Sequence, residues 1–207
     1  MRTRIDYLAD KYSFTELNES PRLRRQWQDV LEECRQAEAG PEERLRIALL
    51  NVDYVTSFEL PFRLLLTRTP QLIAALREEW DISQKNVVFN DKRFGCVYSL
   101  KASLSGVPDT FRYHLSHRIR RVVGNENTSL PYQQVAREVK APRERLKYAL
   151  EAGLLVTALD GLFWFGSQRI AADVLRLRKA GMPVVTTTVE VHDNLTGTTR
   201  KVPAYHL

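Results

Sequence analysis

The chain has 207 residues with a formal net charge of +6, enough length to bury one large or two small cores. No apolar run approaches the roughly 18 residues of a membrane-spanning helix, and Asp6 and Asp10 interrupt an N-terminus without an apolar core segment, so neither a membrane span nor a signal peptide is expected. Cys34 and Cys96 stand far apart in no metal-ligand spacing, as expected of free, buried thiols in a reducing cytoplasm.

The first elements are helical. Residues 14–38 and 41–57 read as two helices broken at Ala39-Gly40-Pro41, with Pro41 suited to a first helical position. Their charged faces mix both signs, as solvated bundle helices do. A third helix starts at Thr69-Pro70. Residues 86–100 then carry two β-rich arms around Asn90-Asp91-Lys92-Arg93, which predicts a hairpin.

A linker and an Asp109/Thr110-capped helix follow, with Phe111, Leu115, Ile119 and Val122 on its apolar stripe and Gly124 as its stop. His114 and His117 have a possible ligand spacing but no carboxylate-rich or cysteine-rich company, so no metal site is assigned. Residues 130–155 predict two short helices meeting at Lys140-Ala141-Pro142, the spacing of a helix-turn-helix or of any helical hairpin. Around Asp160-Gly161 two readings stay open: a short helix, or a tight hairpin spanning residues 154–166.

Residues 165–184 predict an amphipathic helix. Ile170, Val174 and Leu177 share one face, with Ala171 and Leu175 widening it; Gln168, Arg169, Ala172, Arg176 and Lys179 lie opposite. Ser167 is the expected N-cap, and Gly181 with Pro183 the stop. The tail alternates in Thr187–Val191, breaks at His192–Gly197 and resumes at Lys201–Leu207, a long-tipped hairpin whose Pro203 suits an edge strand. With the hairpin reading of residues 154–166, a helix followed by a hairpin recurs three times, ending near residues 100, 165 and 207. No internal identity is read between the three.

The charge is localised. Residues 1–107 carry 16 basic and 16 acidic side chains, residues 108–207 carry 15 and 9, so the whole excess lies in the second half. A localised positive field suits a polyanion, nucleic acid first. No Gly-rich phosphate loop, Gly-x-Ser-x-Gly, His-Glu-x-x-His or Cys/His cluster is present, and Glu42-Glu43 and Glu78-Glu79 sit beside basic neighbours as solvated ion pairs would, so no enzymatic activity and no cofactor are expected.

Thr157, Leu159-Asp160, Phe165-Gly166, Arg169, Leu177-Arg178-Lys179, Gly181, Gly197 and Tyr205-x-Leu207 follow a recognisable order. With the preceding helix over Arg143–Gly153, residues 144–207 resemble the helix-turn-helix or winged-helix modules of phage and prophage DNA-binding proteins. Gly161, where that pattern usually has Ala, and the bulky Trp164 depart from it. The resemblance implies that the helix after Ser167 is a recognition helix. Ser167 and the free amides would take a phosphate. Gln168, Arg169, Ala172, Asp173, Arg176 and Lys179 would face base edges and phosphates, and the hairpin tip, with His192, Asn194, Arg200 and Lys201, would reach the neighbouring backbone.

The expected fold is therefore mainly α with small β-hairpins: a helical region over residues 1–105, then winged-helix units over 108–207, two or more in tandem being compatible with the recurrence. The expected function is sequence-specific binding of double-stranded DNA, as a homodimeric transcriptional regulator of phage, prophage or plasmid type in the bacterial or phage-infected cytoplasm. Two alternatives stand beside it. One is an accessory DNA-binding protein of replication or recombination; the other is an anti-defence interaction protein that engages a host partner through its N-terminal half.

Overall fold

The computed structural model describes residues 20–89, 92–107, 126–167, 169–193 and 195–207. It is a mixed α and β protein, and among the described residues the strands form two small antiparallel three-stranded sheets. Two compact units carry them. Among the described residues, one comprises 20–107 together with Leu195–Gly197, and the other comprises the rest from residue 126 onward. The histidine pair at 114 and 117 and its helix fall outside the described residues.

In the first unit, α1 (Pro21–Gln36) starts at Ser20, whose hydroxyl accepts from the Leu23 amide at 3.1 Å. Leu23, Trp27, Val30 and Cys34 recur at helical spacing and are buried. Burial pushes the Cys34 thiol up to about 11. Helix α2 (Pro41–Asn51) stops six residues short of the expected end. The β-branched residues after it enter a sheet instead, with Val55 and Thr56 forming β1. A short α3 (Leu60–Arg63) and α4 (Thr69–Leu76) lead into β2 (Ser83–Phe89) and β3 (Lys92–Ser99).

The second unit runs α5 (Glu126–Glu138), α6 (Pro142–Glu151), β4 (Val156–Thr157), α7 (Ala158–Phe163), α8 (Ile170–Lys179), β5 (Val185–Asp193) and β6 (Thr198–His206). Of the two readings around Asp160-Gly161, the short helix is the one formed. Thr157 and Asp160 close a reciprocal capping box there: the hydroxyl accepts from the Asp160 amide and the carboxylate from the Thr157 amide. The middle of the three expected hairpins is therefore absent. Pro203 also departs from expectation, because β6 is the central strand of its sheet. It is tolerated there because β4 pairs only with Tyr205 and Ala204, so the missing N–H at 203 faces no β4 partner.

The two units repeat one plan. Their sheets have the orders β1-β3-β2 and β4-β6-β5, and the short strands pair alike, Val55 with Tyr98 and Val156 with Tyr205. With the helices aligned at a constant spacing, Pro41 matches Pro142, Glu43-Arg44-Leu45 matches Glu144-Arg145-Leu146, and Ala48-Leu49 matches Ala149-Leu150. Val55-Thr56, Phe62, Arg68 and Leu76-Arg77 likewise match Val156-Thr157, Phe163, Arg169 and Leu177-Arg178. The chain contains an internal duplication, contrary to the expectation of no internal identity.

The matched residues also repeat their bonds. Arg44 donates to the carbonyls of Ala39 and Leu64 at 2.7 and 3.2 Å, and Arg145 to those of Val139 and Phe165 at 2.6 and 3.4 Å. At the far end of α4, Arg77 donates to Ile82 O and Gln84 Oε1; at the far end of α8, Arg178 donates to Val184 O and Thr186 Oγ1. These arginines fasten their helices to neighbouring loops and strands.

Candidate nucleic-acid interface

Helix α8 buries Ile170, Val174 and Leu177 and begins after the turn at Gly166-Ser167. Its seat on α7 is close: a Cβ on Gly161 would lie 2.5 Å from Ile170 Cδ1 and 3.2 Å from Ile170 Cβ. A side chain at 161 would require Ile170 to shift, which gives a packing reason for the glycine at this departure from the resembled pattern. The duplicated positions hold the opposite sizes, Leu60 and Thr69, both buried. The helix ends at Gly181, with φ +90°, where the Gly181 amide donates to Arg178 O and the Met182 amide to Leu177 O.

The start of α8 differs from expectation. The N-cap is Arg169, without a side-chain capping bond, and Ser167 does not cap. Its hydroxyl donates to Asp173 Oδ2 at 2.7 Å, and Ser167 is buried. Asp173 is further paired with Arg176 at 3.4 Å and Arg143 at 3.8 Å, with its side chain only 15% exposed. A carboxylate held this way bolts the helix start to the turn instead of facing a base. Ser167 and Asp173 thus move from the expected reading face to its support.

What remains on the outward side is cationic with an apolar strip. Arg169, Arg176 and Lys179 are exposed and Ala172 is half-buried. Leu175, expected on the apolar stripe, is instead 52% exposed. It lies about 140° around the helix from Ile170, close to Lys179 and Ala172. Gln168 falls outside the described residues.

Helix α4 provides an internal comparison on the same scaffold. Its exposed residues Gln71, Ala74, Ala75 and Glu78 occupy the positions of Ala172, Leu175, Arg176 and Lys179. Next to them Glu79 is held by Arg46 at 2.8 and 2.9 Å. Of Arg169, Arg176 and Lys179, Arg169 alone has a cation opposite, Arg68. One helix face is basic and its duplicate is neutral to acidic.

The hairpin of the second unit supplies fewer free cations than its sequence suggests. Arg200 Nη1 pairs with Asp193 Oδ2 at 2.8 Å, and the Asp193 carboxylate is fully buried. Lys201 is 74% exposed, with Glu190 3.9 Å away across the strands, beyond hydrogen-bonding distance. His192 is exposed, Asn194 lies outside the described residues, and Leu195 and Thr196 at the tip are buried. Of the hairpin residues expected to meet a ligand, Lys201 and His192 are the described ones that are exposed.

No protein-family model, curated protein or solved structure matches the chain. Among the described residues no helix is long and apolar enough to cross a membrane, and no three His, Cys, Asp or Glu side chains gather as metal ligands would.

Proposed function

We propose that both units are winged helices and that the second reads double-stranded DNA through α8, as a transcriptional regulator of phage, prophage or plasmid type. The element order supports this: helix, short strand, two helices, and a hairpin whose returning strand pairs with the short one. In that plan α8 is the second helix of a helix-turn-helix, the one that enters the major groove.

The observation that carries the reading is the divergence of two duplicated faces. A shared scaffold explains the repeated arginines Arg44 and Arg145, but it does not require Arg176 and Lys179 where the first unit has Ala75 and Glu78. Arginine pairs with guanine O6 and N7, lysine with phosphate, and the exposed Leu175 and Ala172 suit thymine methyl groups. Glu78 would meet phosphate with the wrong sign. The N-terminal half, residues 1–107, is neutral overall and serves contacts with protein.

Selection of bound duplexes from a random pool with the full chain tests this reading. A motif that is lost in the Arg169→Ala/Arg176→Ala variant and kept in Arg68→Ala/Gln71→Ala supports it. Failure to enrich any sequence at low salt removes it. Iterated direct repeats in place of a palindrome would shift the role toward a replication or recombination accessory.

A further inference from the structure

Strand β5 is the outer strand of its sheet, and over Val185–His192 its far edge has no partner among the described residues. Sheet edges of this kind are ordinarily blunted by lysine, proline or a bulge. The duplicated edge strand β2 has such guards: its register shifts between Val87 and Val88, and Lys85 reaches over to Val107 O. Strand β5 has none. Its register with β6 runs unbroken from Val185 to Asp193, it contains no Pro, Lys or Arg, and Val185, Thr186, Thr188, Glu190 and His192 are exposed along it.

Pro203 has no N–H, so its pairing with Thr188 fits the non-hydrogen-bonded position of the ladder. Alternation then turns the N–H and C=O of Thr186, Thr188, Glu190 and His192 toward the outer edge, away from β6. Set against its own reverse, the sequence of this edge brings no like charges together. In an antiparallel pairing centred on Val189 all nine residues are used, Thr188 faces Glu190 and Thr186 faces His192, and no like charges meet. A pairing centred on Glu190 would set two carboxylates opposite each other, which is destabilising.

We propose that β5 is a self-association edge: two copies of the chain pair through it, antiparallel and centred on Val189, joining their three-stranded sheets into one. This is an isologous contact, in which each residue meets the partner of its own mirror position. It is independent of what α8 contacts.

Sedimentation of the full chain without DNA at rising concentration tests the proposal. The parent chain should reach a dimer. Thr188→Glu, which places a carboxylate opposite Glu190, should sediment as a monomer, and Thr188→Glu/Glu190→Gln should regain the dimer, with folding of each followed by circular dichroism. In a second test, Val189→Cys should form a covalent dimer when diamide is the oxidant, because the centre of the pairing brings its two copies to about 4.5 Å between Cα atoms. Val185→Cys, roughly 26 Å from its own copy in this register, should not. A chain that stays monomeric at all concentrations overturns the proposal. So do a dimer indifferent to Thr188→Glu and equal cross-linking at residues 185 and 189, which would place any association elsewhere or assign this edge to a strand from another protein.

Discussion

Arg44 and Arg145 hold one position in the two units, and each donates to a carbonyl just past a short helix, Leu64 O at 3.2 Å and Phe165 O at 3.4 Å. Arg44 is fully buried and Arg145 half-buried. Replacing Arg44 by Ala leaves buried carbonyls without this donor and opens a cavity, with an expected cost of roughly 3–5 kcal/mol. Arg145→Ala should cost less, about 1–3 kcal/mol, since water can reach the vacated carbonyls. Urea unfolding of each variant checks the order. Lysine should rescue neither, because it lacks the planar fork that reaches two carbonyls at once.

Gly161 sets the depth at which α8 packs. Alanine at 161 favours helix by about 1 kcal/mol, yet its methyl would meet Ile170 at distances real side chains do not tolerate. A net loss of about 1–3 kcal/mol is expected from overpacking. Ile170→Val removes the Cδ1 atom in the way and should recover part of that loss in the double variant. A double-mutant cycle by thermal unfolding reads the coupling, and strictly additive effects would mean that the two residues do not meet.

On its selected DNA site, Arg169→Ala or Arg176→Ala should weaken binding by roughly 1–3 kcal/mol, the usual worth of a base-reading contact. Leu175→Ala should leave unfolding within about 0.5 kcal/mol of the parent, as exposed substitutions do, while changing the preferred base at one position. Fluorescence anisotropy with matched and mismatched duplexes measures both. Equal affinities for every variant would exclude α8 as the reader.

The basic pair in β6 should split in behaviour. Arg200→Ala strands the buried Asp193 carboxylate without this partner and is expected to lower stability by about 2–3 kcal/mol. Lys201→Ala should leave stability unchanged and lower the salt slope of DNA binding by about one, as the loss of one phosphate contact does. Denaturation and binding titrations over a salt series distinguish the two, and an unchanged slope would remove Lys201 from the interface.

Much of this architecture is local and therefore legible in the residues themselves. Leu23, Trp27, Val30 and Cys34 mark the buried face of α1 by spacing alone, and Ile170, Val174 and Leu177 do the same for α8. The hairpin arms alternate visibly, and Thr157 with Asp160 writes its own helix start. The duplication is also in the sequence but thinly spread. Its helices match at one spacing, Arg44 with Arg145, whereas its last strands match at another, Tyr98 with Tyr205, because the connections between them differ in length.

Tertiary structure decided what periodicity leaves open. A helical pattern states which face turns inward, not which group waits there. Arg44 and Arg145 look like ordinary surface charges until remote carbonyls close over them. Asp173 and Arg200 look like ligand-binding groups until Ser167 and Asp193 claim them. Leu175 looks buried until α8 settles against Gly161 with the leucine facing outward. In each case the partner lies on another turn, strand or loop, and the preference of a charged or apolar group for that partner over water is fixed only when the chain brings the two together.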